Sequence, residues 1–330
     1  MPKSRIYYDQ DADLSVLNAK TIAVIGYGNQ GRAQALNLKD SGCKVIIGVL
    51  PDETQKLAVK DKFKTYSIAE AAALADILLL LIPDEVMPEV FEKDIRPGLK
   101  QGKTVCFASG YNVAFNFLKL PRGIDVVLVA PRMIGAGVRG RYLEGKGFPS
   151  FIGVHRESSG KALQTTLAIA RAIGSTRNGA IKVTFTQEAV MDLFTEQAFL
   201  PAFLQLLTMS MQTLVNAGYA PEAALIELFL SNEFAYVCDR MVEMGIFKQM
   251  ALHSHTSQYG QLTRTPRFDN ASLLRTLKKV LKEIETGAFA KEWAAEQRAG
   301  LPVFSKIKNE VRQSTMAQWE RQTRQAFRMV

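Results

Sequence analysis

From Thr21 to about residue 182 the sequence alternates short β-rich runs with helical stretches, and beyond about residue 185 the β-rich runs stop. Strand then helix, repeated, is the pattern of parallel strands joined by crossover helices. The spacing predicts strands at Thr21–Ile25, Lys44–Val49, Asp76–Ile82, Thr104–Ala108, Val126–Ala130 and Phe151–Val154. Several are apolar at nearly every position, as strands covered on both faces are. The second half reads as long helices, Gln187–Ala217, Pro221–Met244 and Ala271–Ile284, with shorter pieces to the C-terminus. Gly218-Tyr219-Ala220-Pro221 marks a helix stop and a new start with proline in the first turn. The expected fold class is α/β, with a parallel-rich sheet over 1–182 followed by an all-α domain over 183–330.

With 330 residues, 47% of them hydrophobic, the chain can bury a core in each half. No uninterrupted apolar run approaches the roughly 20 residues of a membrane span. The opening stretch MPKSRIYYDQDADLS is polar rather than signal-like, so a cytoplasmic protein is expected. Cys43, Cys106 and Cys238 lie far apart without a C-x-x-C spacing, which argues against a disulfide framework and a thiolate metal site. Lys and Arg exceed Asp and Glu by 41 minus 32, or +9, but the two signs are interleaved along the chain. That distribution argues against nucleic acid and fits attraction of small anionic substrates.

The first predicted strand runs directly into GYGNQGRAQ, which places Gly26, Gly28 and Gly31 in a G-x-G-x-x-G order at a strand-to-helix turn. Such a triplet becomes specific when a strand precedes it, a helix follows it and an acidic residue stands about 20 residues on. All three conditions hold. Tyr27, Asn29 and Gln30 complete the loop, whose backbone N–H groups and helix dipole suit a dinucleotide pyrophosphate. Asp52 and Glu53 lie just past the next strand, where a carboxylate accepts from the adenosine ribose and repels a 2'-phosphate. NADH is therefore favoured over NADPH, although Arg32, Lys56 and Lys60 remain within possible reach of a phosphate.

Four longer stretches, YYDQDADLSVLNAKTIAVIGYGNQGRAQALNLKDSG, LLLLIPDEVMPEVFEKDIRPGLKQG, DLFTEQ and AKEWAAEQRAGLPVF, resemble the short-chain (class I) ketol-acid reductoisomerases nearly end to end. The resemblance implies a Rossmann-like domain followed by a knotted helical domain that interlocks with a second subunit, hence a homodimer or larger assembly. It also implies NADPH or NADH and two Mg2+ ions, used to shift an alkyl group in a 2-hydroxy-2-acetyl acid and then reduce the resulting ketone, on the route to valine and isoleucine. By the same resemblance Pro83, Asp84 and Glu85 lie beside the nicotinamide, and Asp192, Glu196 and Glu227 match carboxylate metal ligands. Apolar neighbours such as Leu193, Phe194, Ala198 and Phe199 argue that Asp192 and Glu196 are buried.

This chain departs from the pattern at several positions. The family's fourth carboxylate is Ser231, its usual histidine is Ser109, and its active-site lysine is Arg132, followed by Met133-Ile134 in place of Gly-Pro. Gln258 and Gln261 stand where Glu and Asp are usual, while Ser254 matches a substrate-contacting serine. Glu233 is no simple replacement for Ser231, because six residues of helix turn its side chain about 240° from Glu227. His253 and His255 point apart in either an extended or a helical backbone, which argues against joint metal ligation and leaves one as a candidate proton donor. His155, just past a predicted strand, is most simply an edge residue.

Hard divalent cations depend on carboxylate oxygens, so at most one Mg2+ is expected. The alkyl shift needs two metals most, and isomerisation is the activity expected to weaken or vanish first. Hydride delivery to a C=O or C=N bond of a small carboxylated metabolite is expected to survive, as in a ketone or imine reductase. Glu196 is then the candidate general acid, Arg132 a carboxylate binder and Ser109 and Ser254 polar contacts. Two alternatives stand beside this reading: an authentic ketol-acid reductoisomerase, and a non-catalytic NAD(H)- or metabolite-binding protein.

Overall fold

The computed structural model describes residues 4–329, so the first three residues of the polar opening stretch lie outside the described residues. The chain divides into two compact units, with the boundary between Asp192 and Leu193. This lies ten residues beyond the boundary expected from sequence at 182, inside the helical run Phe185–Asn216.

Among the described residues the first unit carries a nine-stranded sheet. Its strands are β1 (Ile6–Tyr7), β2 (Thr21–Ile25), β3 (Lys44–Gly48), β4 (Lys64–Tyr66), β5 (Ile77–Leu80), β6 (Thr104–Phe107), β7 (Asp125–Pro131), β8 (Ser150–Arg156) and β9 (Ala180–Lys182). They are ordered β1-β9-β8-β7-β6-β5-β2-β3-β4. All six predicted strands are present. The three missed strands, β1, β4 and β9, are two or three residues long, too short to show a periodicity. The sheet is parallel except where β8 runs against β7 and β1 against β9.

Alternate residues of β2 serve opposite faces. Ile22 and Val24 pack with Leu79, Leu38 and Ile169, whereas Ala23 and Ile25 pack with Leu78, Leu80, Phe91 and Phe107. Burial on both faces explains the unbroken apolar run, because neither face is left to water. Each large side chain so buried stabilises the unit by about 1.5–3 kcal/mol.

Helices α1 (Asn29–Asp40) and α2 (Glu53–Lys60) follow β2 and β3, and α3 (Ile68–Leu74), begun by a Ser67/Glu70 capping box, leads to β5. The chain thus runs outward from β2 through β3 and β4, then returns to pair β5 with the other side of β2. Reversal of strand order opens a crevice at the carboxyl ends of the strands. Gly26, Asp52, Asp84, Ser109 and Arg132 all follow the carboxyl ends of parallel strands.

The second unit is helical. Phe185–Asn216 is one 32-residue run with a π-helical turn at Thr195–Phe199, and by length and composition it is apolar enough to cross a membrane. The sequence shows no continuous apolar run there because Glu188, Asp192 and Glu196 interrupt its first part and Gln205, Thr208, Ser210, Gln212 and Thr213 its second. The expected helix Pro221–Met244 is broken. Pro221–Leu225 passes into a π-turn at Ile226–Leu230, and Asn232 adopts a left-handed φ of 69° before Glu233–Met244 begins. Asn tolerates that conformation, so the break leaves no gross composition signal. The regular-helix rotation between Glu227 and Glu233 therefore does not apply. Ala271–Glu285 forms almost as expected, begun by an Asn270 cap.

Candidate active site

The glycine loop has the geometry its spacing predicts. Gly26 sits at φ +94°, and a Cβ there would lie 2.6 Å from the Leu81 carbonyl oxygen. A Cβ on Gly31 would lie 2.1 Å from the Gly26 carbonyl oxygen, so this glycine lets α1 close onto the turn. Gly28 is different: nothing lies within 4 Å of its missing side chain, and as N-cap of α1 it makes no side-chain cap bond. Open space before a helix N-terminus that lacks a capping side chain fits a pyrophosphate. A cleft of about 430 Å3 opens here, lined by Tyr27, Gly28, Asn29, Arg32, Thr54 and Gly135 among others.

The rest of the predicted loop does other work. Gln30 donates to the Met133 carbonyl at 2.8 Å, which ties α1 to the segment after β7. Tyr27 is buried, and its hydroxyl donates to Asp61 at 2.9 Å. Asp52 caps α2, accepting from the Thr54 amide at 2.8 Å and the Thr54 hydroxyl at 2.6 Å. Those bonds hold its exposed carboxylate below the usual range. Asp61, which the sequence-based expectation missed, accepts from Arg32, while Lys56 pairs with Glu53. Two of the three cations that could have met a 2'-phosphate, Arg32 and Lys56, each have an acidic partner.

Three strand ends converge on a carboxylate cluster within the first unit. Asp84, after β5, accepts from Ser109 at 3.1 Å and from Asn112 at 2.9 Å. Burial pushes its carboxyl up to about 6, against the lowering effect of those donors. Gly110 approaches the following helix so closely that a Cβ would lie 2.3 Å from the Phe185 carbonyl oxygen. Its amide donates to Glu188 at 2.6 Å. Glu188 is 1% exposed, and burial pushes its carboxyl up to about 7 despite that amide and Arg132.

Arg132 follows β7 and joins this cluster. Its Nη1 donates to Glu188 at 2.9 Å and its Nη2 to Asp192 at 2.5 Å, while the guanidinium carbon lies 5.1 Å from the centre of the Phe151 ring. Glu188 and Asn112 are thus site residues that sequence reasoning missed. Glu188 precedes Asp192 by four residues, one turn of helix, and that spacing was the available signal.

The helical unit holds the remaining candidates. Glu196 is exposed on the single chain, as are its neighbours Phe199 and Leu200, whereas the sequence predicts it buried. Of the apolar flanks that suggested burial, Leu193 and Ala198 are buried and Phe199 is exposed, on a helix largely uncovered in one chain, and Asp192 is half-buried. Glu196 and Glu227 each sit on a π-helical turn, a distortion frequent at functional sites. Ser254 caps the helix His255–Arg264 through the Ser257 amide. His253 is bonded to Gln249 at 3.1 Å, and Gln258 donates to the His253 carbonyl. Among the described residues of one chain, no three His, Cys, Asp or Glu side chains gather as a metal site.

The donor chemistry separates the two expected cofactors. A nicotinamide dinucleotide fits the open Gly28 turn. At Asp192, the one expected metal ligand in this cluster, a guanidinium that also engages Glu188 already takes Oδ1, which does not fit a pair of Mg2+ ions there.

Two family models match the chain, described as the acetohydroxy acid isomeroreductase NADPH-binding domain over residues 16–179 and the ketol-acid reductoisomerase C-terminal domain over residues 185–329. The ketol-acid reductoisomerase (NADP(+)) of Methanocaldococcus jannaschii is 44% identical over 306 residues, 92% of each protein. That of Petrotoga mobilis is 45% identical over 314 residues, 94% of each. Among solved structures, an NADH-preferring ketol-acid reductoisomerase from an uncultured archean superposes with a TM-score of 0.91 at 36% identity, covering 97% of this chain and 98% of that one. A pyrroline-5-carboxylate reductase from Coxiella burnetii, at 13% identity and a TM-score of 0.57, covers 82% of this chain and 98% of its own and shares the fold alone.

Proposed function

We propose a function from one premise: the chain belongs to the ketol-acid reductoisomerase family. It is accordingly an oxidoreductase with an NAD(P)H-binding domain. Within that family we read it as a reductase of a C=O or C=N bond in a small carboxylated metabolite, with the alkyl shift weakened or lost. The observation that carries this reading is Arg132 held between Glu188 and Asp192. A guanidinium does not release its proton near neutrality, so any proton-transfer duty of a lysine here ends while anion binding remains.

The bound nicotinamide cofactor supplies hydride. The chain's own residues bind and orient: Gly28 and the start of α1 receive the pyrophosphate, and Arg132 receives a substrate carboxylate. A proton must also reach the reduced oxygen or nitrogen. Glu196 is the candidate general acid in this reading, while Glu188, its carboxyl pushed up to about 7 but engaged through both oxygens by Arg132 and the Gly110 amide, stays inside the cluster. Ser109, already bonded to Asp84, and Ser254 are polar contacts in the same reading. NADH is favoured over NADPH because Arg32 and Lys56 are engaged by Asp61 and Glu53, and because the solved relative at 36% identity is NADH-preferring.

Phe199, Leu204, Leu206 and Met209 are each more than half exposed along one helix, which supports a homodimer or larger assembly that covers them. A cytoplasmic location is proposed with it. The second reading, an authentic ketol-acid reductoisomerase of branched-chain amino-acid biosynthesis, is favoured by 44–45% identity to proteins of that name over more than nine-tenths of the chain.

NADH and NADPH oxidation with 2-acetolactate and with 3-hydroxy-3-methyl-2-oxobutyrate separates the readings, since the second substrate needs reduction only. Turnover of the second alone supports a reductase, and turnover of both supports the reductoisomerase. If neither turns over, trials with imines follow; tight cofactor binding without any turnover would point to a binding protein.

A further inference from the structure

We propose that Arg132 is the resident cation of the acidic cluster, a tethered guanidinium that takes one oxygen each of Glu188 and Asp192 and so keeps a divalent ion from Asp192. This rests on the reading above only in that a reductase can operate with such a site. Three directions fix the group: Glu188 at 2.9 Å, Asp192 at 2.5 Å and the face of Phe151 at 5.1 Å. Glu188 cannot turn away freely, because its other oxygen is held by the Gly110 amide at 2.6 Å. The remaining acidic neighbour, Asp84, is pinned by Ser109 and Asn112.

Mg2+ requires oxygen ligands in near-octahedral array at about 2.0–2.1 Å. Here one charged fork spans both carboxylates, and a second cation would meet its full charge at contact distance. A lysine presents one ammonium on a flexible stem and can swing aside. The planar guanidinium donates along two fixed directions at once, so it leaves only by giving up both partners. The guanidinium thus gives Glu188 and Asp192 a cationic partner without a metal.

The test is a Mn2+ titration of the full-length protein, followed by electron paramagnetic resonance, with and without NADH. The wild-type chain is expected to show no saturable binding below millimolar Mn2+. Arg132→Lys and Arg132→Ala are expected to bind at least tenfold more tightly than wild type, with NADH binding confirming that each variant is folded. Saturable micromolar binding by the wild-type chain overturns the proposal outright, whatever the variants do. Folded variants that bind no better than wild type overturn it as well. Oxidation of NADH with 3-hydroxy-3-methyl-2-oxobutyrate in chelator is measured in parallel. Its failure beside the expected Mn2+ pattern sinks the substrate reading and leaves the tethered cation standing.

Discussion

Asp61 accepts from Arg32 through Nε at 2.7 Å and Nη2 at 3.2 Å, so the guanidinium nearest the start of α1 is held as a fork on one carboxylate. Tyr27 donates to the same carboxylate at 2.9 Å, and the Arg32 guanidinium foremost holds it below the usual range. Asp61→Ala releases Arg32 toward the cleft it already lines. We expect the kcat/KM ratio for NADPH over NADH to rise about tenfold, a difference of about 1.4 kcal/mol. Steady-state kinetics with both cofactors decide the matter, and an unchanged ratio removes Asp61 from cofactor choice.

Two loop glycines separate folding from binding. Gly31→Ala drives a methyl onto the Gly26 carbonyl and is expected to destabilise the fold by about 1–3 kcal/mol in urea unfolding. Gly28→Ala meets no protein atom, and its φ of −75° suits any residue, so stability should hold while NADH affinity falls at least tenfold. Equal NADH affinity in the Gly28 variant and wild type would place the pyrophosphate elsewhere.

Burial raises the Glu188 carboxyl from 4.5 to about 7. The folded state therefore disfavours the ionised form. The resulting penalty is absent below about pH 4.5, grows as pH rises and is complete above about pH 7, where it reaches about 3 kcal/mol. Asp84, raised from 3.8 to about 6 by burial, acts in the same direction. In Glu188→Gln the loss of stability between these pH values should shrink, leaving the part due to Asp84. Unfolding free energies measured from pH 4.5 to 8 give the slope, and an unaltered slope assigns the effect to another group.

Leu204 is 59% exposed on a helix that one chain leaves largely uncovered. Leu204→Arg is expected to lower the assembled fraction, with a smaller mass in sedimentation. Retention of the wild-type mass at micromolar protein would show that a different face forms the contact.

The sequence by itself determined the layered half of this protein. Period-free apolar runs, crossover spacing and the glycine triplet are local features, and each is repeated in the structure: β2 is buried on both faces, and Gly26 and Gly31 sit where no side chain fits. It also carried the family, through motifs spread over both halves. The helix break at Ser231–Asn232 was hidden, because it depends on one asparagine entering a left-handed conformation that composition does not announce. The site's charge arrangement was hidden for a different reason. Glu188 and Arg132 are 56 residues apart, and Arg32 and Asp61 are 29 apart, so their pairing exists only once the sheet has aligned its strand ends. Sequence identifies which residues carry charge; the fold decides which charges meet, because burial and the distance between oppositely charged atoms are properties of the packed chain.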